Sequence, residues 1–232
     1  MEELNNGFML NLCSGAFPLS TDSIALAHFV RLPKNAKVLD IGSGCGTLGL
    51  LLCAKCDNCS VTGIEIRRED HNTAIGNAEY NHVTARLNSI CADATQIPSL
   101  IKPGSYRVCV SNPPYFTDGP QSKTAPTARR DDLLSMDALF KNAAWSLCYG
   151  GDFFLVHRPE RLGEIFACGG KYALEPKTLQ LLRHKDGGPI VLVLVQFRKG
   201  GKPGLKWDEQ FLYQRDGTIS DYYKKIYHLQ ET

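Results

Sequence analysis

The sequence has no apolar run long enough to cross a lipid bilayer. Its purest run, residues 190–195, is six residues long, whereas a membrane-spanning helix needs about 20. The first four residues, Met-Glu-Glu-Leu, lack the basic region and the continuous apolar core of a signal peptide, so we do not expect export. These absences predict a soluble, cytoplasmic protein with no membrane partner.

Cysteines and histidines also lack the patterns of common sites. Nine cysteines at irregular spacings do not form the even-numbered framework of a disulfide-rich protein, so we expect reduced thiols. Cys53, Cys56 and Cys59 have a C-x2-C-x2-C spacing, but no convincing fourth ligand lies nearby in the sequence, which favours packing over a metal site. The six histidines occur singly, and this disfavours a hydrolytic triad.

Neither sign of charge is in large excess. The chain has 26 basic and 24 acidic residues and a formal net charge of +2, a total that gives no indication of a nucleic-acid partner. With 232 residues, of which 43% are hydrophobic and 22% charged, the composition is that of one sizeable globular domain. It excludes a disordered chain and a fibrous one.

Strands and helices alternate along the chain, which predicts a mostly parallel sheet with helices on both faces. Short apolar runs predict seven strands, at residues 37–41, 60–66, 88–92, 106–111, 152–157, 177–183 and 190–197. Helices are predicted at residues 23–30, 47–55, 68–81, 96–101, 131–148 and 160–168. Only a short turn separates the last two strands, so they form an antiparallel hairpin, because a parallel crossover needs about a dozen residues or more. The predicted fold is α/β and Rossmann-like, with a seven-stranded sheet that has one antiparallel strand.

A glycine-rich turn follows the first predicted strand. The turn is Gly42-Ser43-Gly44-Cys45-Gly46. Glycines between a strand and a helix let the backbone approach a ligand and leave the amides at the helix N-terminus free to bind it. Because residues 44–49 also satisfy the G-x-G-x-x-G spacing, the turn alone is compatible with NAD, with S-adenosylmethionine or with a tight turn that binds nothing.

Acidic residues at three strand ends favour S-adenosylmethionine over NAD. Asp40, before the first glycine, suits a cationic amino-acid head group and would repel a pyrophosphate. Glu65 ends the second strand and suits a ribose with either cofactor. Asp93 follows the third strand. It is predicted either to accept a hydrogen bond from an adenine amino group or to cap a helix N-terminus. Cys45, within the turn, is expected to do no chemistry.

The tetrapeptide Asn112-Pro113-Pro114-Tyr115 follows the fourth strand, at the edge where open α/β sheets bind ligands. Its prolines fix the backbone and remove two N–H donors. The Asn112 side chain and the Pro113 carbonyl then offer two acceptors for the hydrogens of a planar amine, and Tyr115 offers a stacking surface for a base. The motif predicts in-line methyl transfer to nitrogen, without a metal or a covalent enzyme intermediate.

Together these motifs resemble the class I S-adenosylmethionine-dependent methyltransferases that act on exocyclic or amide nitrogens. Residues 17–23, 158–162 and 198–204 resemble the group that includes the tRNA(Val) (adenine-N6)-methyltransferase, which modifies an adenosine beside the anticodon. The resemblance spans about residues 8–229.

The resemblance implies a division of the chain into three parts. Residues 37–200 would form the methyltransferase domain, which residues 1–36 precede as a segment that covers the cofactor site. Residues 201–232 would form a C-terminal extension packed on the same domain.

The resemblance also implies which residues hold the cofactor and the target amine. The cofactor's methionine part would be lined by Asp40, Gly42, Gly44 and Gly46. Its ribose would contact Glu65, and its adenine would contact Asp93. Thr21 and Asp22 are expected to lie over the cofactor. They could instead cap the N-terminus of the first helix, or they could do both. Asn112, Pro113, Pro114 and Tyr115 would hold the amine, with Asn112 also beside the cofactor.

Basic residues in two segments are candidates for RNA phosphate contacts. Arg129 and Arg130 belong to an irregular loop, residues 116–130, that directly follows the proposed catalytic turn. Residues 157–206 hold ten basic and four acidic side chains. The cations that would form one phosphate-contacting face, if the fold brings them together, are Arg158, Arg161, Lys199 and Lys202.

The expected function is transfer of a methyl group from S-adenosylmethionine to adenine N6 in RNA, foremost tRNA near the anticodon, with no obligatory protein partner. A first alternative is a protein glutamine N-methyltransferase, because a glutamine side chain presents a similar planar amide nitrogen. A second is a non-catalytic module that binds the cofactor or RNA. The intact motif at residues 112–115 disfavours lost activity.

Overall fold

The computed structural model describes residues 1–4, 7–114 and 134–228. Within this part of the chain, an eight-stranded sheet lies between two layers of helices, and a short hairpin of β1 (Glu2–Glu3) and β2 (Met9–Leu10) precedes it. The strands of the sheet are β3 (Lys37–Ile41), β4 (Ser60–Glu65), β5 (Leu87–Cys91), β6 (Tyr106–Ser111), β7 (Leu147–His157), β8 (Leu174–Lys185), β9 (Ile190–Lys199) and β10 (Lys206–Tyr213). The predicted α/β class is confirmed.

The spatial order of the strands is β10-β8-β9-β7-β6-β3-β4-β5. Strand β9 is antiparallel to both of its neighbours, β7 and β8, and the other neighbouring pairs in the described sheet are parallel. The predicted hairpin and the single reversed strand are therefore confirmed. The chain moves from β3 outward to β5 and then crosses to β6, so the strand order switches direction beside β3, and ligands bind at such switch points.

Two hydrophobic cores lie on opposite faces of the sheet. Val38 of β3 belongs to one core and Leu39 to the other, because successive side chains of a strand point to opposite faces. One face carries α1 (Thr21–Phe29), α2 (Thr47–Lys55), α3 (Arg68–Tyr80) and α7 (Asp221–Ile226). The other carries α4 (Ile97–Leu100), α5 (Met136–Ser146) and α6 (Leu162–Lys171). None of the described helices is long and apolar enough to span a bilayer.

The eighth strand of the sheet, β10, is absent from the seven-strand prediction, which is wrong in this respect. Strand β10 pairs with β8 on one side and forms the edge of the described sheet. Its first four residues are exposed and its only buried side chain is Leu212. An edge strand with so few buried residues has neither the apolar run nor the regular alternation by which strands are recognised.

The boundary between α5 and β7 also differs from the prediction of a helix at residues 131–148. Helix α5 begins at Met136, where the Oγ atom of Ser135 accepts a hydrogen bond from the Ala138 N–H at 3.2 Å. It ends at Ser146, and β7 begins with the next residue. Residues 131–133 lie outside the described residues. The predicted strand at residues 152–157 is the carboxyl-terminal half of β7.

Candidate active site

A cavity of about 770 Å³ opens at the carboxyl edge of the sheet, where β3 lies between β4 and β6. Ligand sites in proteins are commonly clefts of about 300–1,000 Å³. The turn after β3, the ends of β4, β5 and β6, the start of α1 and residues 15–18 build the wall. The predicted cofactor residues that it brings together are Asp22, Asp40, Gly42, Gly44, Glu65, Asp93 and Asn112.

The glycines of the turn have two different roles. Gly42 and Gly44 line the cavity with φ angles of +78° and +53°, a backbone region that favours glycine. The Gly42 N–H donates to the Ile64 carbonyl at 2.9 Å and so fixes the turn to β4. Gly46 is the N-cap of α2, and a Cβ atom there would lie 3.2 Å from the Ala74 Cβ atom. Gly46 therefore allows close packing of α2 on α3, and it is not among the described residues that line the cavity.

Asp40 lies in the cavity wall, is only 2% exposed and has no hydrogen-bond partner for its Oδ2 atom in the described part of the chain. Burial and the nearby Glu65 raise the pKa of its carboxyl from 3.8 to about 7. Ser43 also lines the cavity, but its Oγ atom, which is buried without a partner among the same residues, lies against Gly63 of β4. Because buried polar atoms usually have partners, the Asp40 carboxyl fits a ligand that brings positive charge or N–H donors.

Glu65, at the end of β4, is held by two backbone amides. Its Oε2 atom accepts from the Gly44 N–H and its Oε1 atom from the Arg67 N–H, both at 2.8 Å. Each oxygen retains a second lone pair for a ligand. The carboxylate is thus fixed between the glycine turn and the start of α3. Its contact with a ribose stays a prediction.

Asp93, after β5, satisfies one of its two predicted roles. Its Oδ1 atom accepts a hydrogen bond from the Thr95 N–H at 2.7 Å and caps the short 3-10 turn Ala94–Gln96. The N-cap prediction is therefore confirmed. Asp93 also lines the cavity together with Ala92 and Ala94, which is compatible with a contact to adenine.

Asn112, Pro113 and Pro114 line the cavity directly after β6. The Nδ2 atom of Asn112 donates to the Oγ atom of Ser23 in α1 at 3.0 Å. Since the amide nitrogen is engaged by α1, the Oδ1 atom is the part of the side chain left to accept a hydrogen from a ligand. Tyr115, the last residue of the predicted motif, lies outside the described residues.

The start of α1 differs from the prediction that Thr21 or Asp22 caps this helix. The N-cap is Ser20, whose Oγ atom accepts from the Ser23 N–H at 3.4 Å. Thr21 and Asp22 are then the first two helical residues. Asp22 lines the cavity, whereas the Thr21 hydroxyl lies 3.0 Å from the hydroxyl of Tyr227, and Thr21 is not among the described lining residues.

A family model described as the methyltransferase small domain matches residues 20–164. The chain belongs to this methyltransferase family. The matched residues contain the glycine turn, the three acidic strand ends and the 112–115 motif, whereas β8, β9 and β10 follow them.

Curated relatives of this methyltransferase cover most of its length. A relative from Bacteroides fragilis, named tRNA1(Val) (adenine(37)-N6)-methyltransferase, is 30% identical over 185 residues, which are 78% of this chain and 77% of the relative. A relative of the same name from Photobacterium profundum is 29% identical over 221 residues, which are 90% of this chain and 92% of the relative.

Solved structures similar to this methyltransferase share its Rossmann-like fold. One is a predicted O-methyltransferase from Agrobacterium tumefaciens, with a TM-score of 0.76, 20% identity and coverage of 90% of this chain and 96% of that chain. Another is geranyl diphosphate C-methyltransferase from Streptomyces coelicolor in complex with S-adenosyl-L-homocysteine, with a TM-score of 0.56, 12% identity and coverage of 75% and 77%. The expected methyltransferase fold is therefore confirmed.

The prediction that Arg158, Arg161, Lys199 and Lys202 form one phosphate-contacting face is wrong, because the sheet separates them. Arg158 and Arg161 follow the carboxyl end of β7, at the edge that carries the cavity. Lys199 ends the reversed strand β9 and, with Lys202, lies at the opposite edge. Five steps of pairing between β7 and β9 separate these edges, which is about 17 Å along the strands.

Lys199 is moreover engaged within the methyltransferase. Its Nζ atom donates to the carbonyls of Ala144 and Leu147 at 2.6 and 2.8 Å, at the end of α5. A cation at a helix C-terminus satisfies the last carbonyls and interacts favourably with the helix dipole. Arg129 and Arg130 lie outside the described residues, and their predicted phosphate contacts stay predictions.

The N-terminal segment that leads to the cavity wall is held by residues that the sequence analysis did not single out. Asn77 of α3 and Asn81, the C-cap residue of this helix, each exchange two hydrogen bonds with the backbone, of Asn11 and Met9 respectively, at 2.7–3.0 Å. The Arg67 guanidinium donates to the Gly15 carbonyl at 3.1 Å. These contacts hold residues 9–15 over α3. The available signal was a pair of asparagines four residues apart, but such a pair is equally typical of an exposed helix face.

Proposed function

We propose that this methyltransferase transfers a methyl group from S-adenosylmethionine to the exocyclic N6 of an adenosine in tRNA. The observation that carries the proposal is one cavity lined both by Asp40, whose buried Oδ2 atom has no partner among the described residues, and by the Asn112-Pro113-Pro114 turn. The first is suited to a cationic cofactor and the second to a planar amine. Relatives that cover most of the chain are named for this reaction.

The residues of the cavity fit S-adenosylmethionine. This cofactor has an ammonium group and a sulfonium group, and its chemistry is to supply an electrophilic methyl carbon. Asp40 would accept from the ammonium group, Glu65 from the ribose hydroxyls and the Asp93 region from the adenine. Two structural relatives, both geranyl diphosphate methyltransferases, were solved with S-adenosyl-L-homocysteine and with S-adenosylmethionine.

The charge of the cavity discriminates between cofactors. Asp22, Asp40, Glu65, Asp70 and Asp93 all line it, whereas Arg67 is the single basic residue among the described lining residues. Arg67 forms an ion pair with Asp70 at 3.2 Å, so its charge is already balanced. An excess of carboxylates attracts a cationic ligand and repels a pyrophosphate, which supports S-adenosylmethionine over a dinucleotide.

The turn after β6 would orient the target amine. Ser23 holds the Nδ2 atom of Asn112, and the Oδ1 atom then accepts one hydrogen of the amine while the Pro113 carbonyl accepts the other. Both hydrogens lie on the side of these acceptors, so the nitrogen lone pair points away from them toward the cofactor part of the cavity. A carboxamide is too weak a base to keep a proton, so the proton lost from the methylated nitrogen passes to water.

The tRNA substrate is the finer part of the proposal. It is supported by the names of the relatives and by the chemistry of the turn, which requires a planar amine. A tRNA substrate would place the methyltransferase in the cytoplasm. We expect no obligatory protein partner.

The decisive experiment incubates the methyltransferase with methyl-labelled S-adenosylmethionine and unmodified total tRNA or, separately, a protein extract. We expect label in tRNA, recovered as N6-methyladenosine after digestion and mass spectrometry. Asn112→Ala should lower turnover by about 100-fold or more, as expected when a group that acts on the transition state is removed, and should still bind the cofactor. Asn58→Ala, an exposed asparagine outside the cavity, is the matched control.

Each contrary result would overturn a stated part of the proposal. Label in protein and not in RNA would mean that the substrate is a glutamine side chain of a protein and not an adenosine of tRNA. Full activity of Asn112→Ala would reject the role of the turn. Cofactor binding without any label in either extract would favour the non-catalytic alternative.

A further inference from the structure

A cluster of two thiols and a carboxylate lies in the wall of the cavity. Cys13 belongs to the segment after β2, Cys45 to the glycine turn and Asp70 to the first turn of α3. Their Sγ, Sγ and Oδ1 atoms all lie within 4.8 Å of one another, and among the described residues no other group of three such ligands converges in this way. Three separate elements therefore place metal-ligating atoms at one point.

Two of the three distances within the cluster are within about 0.3 Å of those between the ligands of a tetrahedral zinc ion. With Zn–S bonds of about 2.3 Å, two thiolates on one zinc ion lie about 3.8 Å apart, and a thiolate and a carboxylate oxygen about 3.5 Å apart. The Sγ atoms of Cys13 and Cys45 are 3.8 Å apart, and the Cys45 Sγ atom is 3.8 Å from the Asp70 Oδ1 atom. The Cys13 Sγ atom is 2.7 Å from the same oxygen, so this side chain must open by about 0.8 Å to admit the ion.

Neighbouring side chains already orient the three ligands. The Arg67 guanidinium pairs with the Asp70 Oδ2 atom at 3.2 Å, which leaves the Oδ1 atom directed at the thiols. The Asn77 side chain donates to the Cys45 carbonyl at 2.8 Å and fixes the turn that carries this thiol. Such outer contacts are typical of metal sites, where they hold the ligands in position.

The charges of the cluster also balance around a divalent cation. Two thiolates and one carboxylate carry three negative charges, and the cation and Arg67 together carry three positive charges. Cys45 and Asp70 are 3% and 6% exposed, and buried charges are tolerated when they are paired in this way. Burial raises the pKa of both thiols, so the two thiol protons pass to solvent when the cation binds.

We propose that Cys13, Cys45 and Asp70 bind a thiophilic divalent cation such as Zn²⁺, with the fourth coordination position open toward the cavity. The cation would tie the N-terminal segment to the glycine turn and to α3, next to the cofactor. This inference goes beyond the methyl-transfer reaction and does not depend on it. It also differs from the cysteine pattern noticed in the sequence, because Cys53, Cys56 and Cys59 form no such converging group with one another in the described chain.

The test is a Co²⁺ titration of the full chain under a phosphine reductant without oxygen, since cobalt reports thiolate ligation and tetrahedral geometry by its absorption. We expect one cobalt ion per chain, a thiolate charge-transfer band, tetrahedral ligand-field bands and displacement by Zn²⁺. Cys13→Ser and Cys45→Ser should each reduce the charge-transfer intensity, and Asp70→Asn should weaken binding by about tenfold or more. Cys148→Ser, at a half-buried thiol outside the cavity, is the matched control.

The readout does not involve methyl transfer, so its failure and that of the proposed function are distinguishable. Circular dichroism of each variant shows whether it is folded before the titration. The proposal is overturned if the wild-type chain shows no charge-transfer band. It is also overturned if the band persists in folded Cys13→Ser and Cys45→Ser but is lost when Cys53, Cys56 and Cys59 are replaced by serine.

Discussion

The two edges of the sheet differ in whether particular charged groups have partners within the fold. At the carboxyl edge of the parallel strands, the Asp40 Oδ2 atom is buried with no partner among the described residues. At the opposite edge, the Lys199 ammonium group donates to two carbonyls, and the Arg198 guanidinium donates to both oxygens of Asp152 at 2.8 and 3.1 Å. One edge leaves a carboxylate oxygen for a ligand, and the other satisfies the Lys199 and Arg198 cations within the fold.

This difference changes how the excess of basic residues in the segment 157–206 is interpreted. Its excess of cations has the appearance of a nucleic-acid surface in the sequence, but Lys199 and Arg198 stabilise the fold. Lys177 at the same edge donates from its Nζ atom to the Lys202 carbonyl at 2.8 Å. The number of basic residues in a segment therefore overstates the charge that is available to RNA.

Asp40→Asn should have the largest effect among the changes that test this comparison. It removes the carboxylate for the cofactor's ammonium group and leaves the shape of the cavity unchanged. Loss of one partner of a buried charge pair costs about 2–5 kcal/mol, so we expect S-adenosylmethionine to bind about 100-fold more weakly. Isothermal titration calorimetry measures this change.

The matched control for Asp40→Asn is Asp208→Asn, an exposed carboxyl on β10. It should leave the affinity for the cofactor unchanged. Equal affinities of the Asp40→Asn variant and the wild type would mean that the unpartnered oxygen is not used by the cofactor.

Lys199→Met tests the opposite edge. The variant keeps the apolar stem but leaves the Ala144 and Leu147 carbonyls without their donor. Hydrogen bonds from charged groups contribute about 1.5–3 kcal/mol, so the free energy of unfolding should fall by about 2 kcal/mol in urea denaturation. At a temperature where the variant is folded, the affinity for tRNA should change by less than about twofold.

Lys202→Met, an exposed lysine at the same edge, is the control, and its free energy of unfolding should change by less than about 0.5 kcal/mol. A large loss of tRNA affinity in folded Lys199→Met would mean that this edge belongs to the RNA-binding surface. That result would reverse the contrast between the edges.

The pH dependence of cofactor binding gives a smaller effect at the carboxyl edge. The pKa of Asp40 is raised to about 7 in the free protein, and a bound cation favours the ionised form. Affinity should therefore fall as the pH falls through 7, by about tenfold between pH 8 and pH 6. The dependence should be absent in Asp40→Asn. An affinity that is constant from pH 6 to pH 8 in the wild type would contradict the prediction.

The same pKa shift predicts how the free energy of unfolding of the cofactor-free protein depends on pH. Because the folded-state pKa of Asp40 lies above the ordinary value of 3.8, the contribution of this group is fully present below about pH 4 and is lost as the pH rises through 7. In Asp40→Asn this part of the pH dependence should disappear from thermal unfolding curves.

The sequence predicts those parts of the molecule that depend on residues close together in the chain. Strands β3 to β9 were found because their buried faces give apolar runs, and the cavity position follows from the acids and glycines at strand ends. Strand β10 is not predicted from the sequence, because it is an exposed edge strand with few buried residues. The contacts of Ser23 with Asn112, and of Cys13 with Asp70, join residues 89 and 57 positions apart, and no short-range pattern indicates such pairs.

Ser23→Ala should have the smallest effect, and it tests how the cavity edge orients Asn112. Without the serine hydroxyl, the Asn112 amide is free to rotate and offers its Oδ1 atom to the amine for only part of the time. Since a hydrogen bond of this kind contributes about 1 kcal/mol, we expect kcat to fall about fivefold with an unchanged cofactor affinity. Ser23→Thr, which retains the hydroxyl, should restore most of the rate.

A double-mutant cycle separates this positioning role from a general loss of structure. If Ser23 acts through Asn112, then Ser23→Ala should have no further effect on kcat in an Asn112→Ala background, because the group that it orients is already absent. If Ser23 instead supports the helix or the cofactor, the two effects should multiply. Single-turnover rates of the four variants distinguish these outcomes, and multiplicative effects would reject the positioning role.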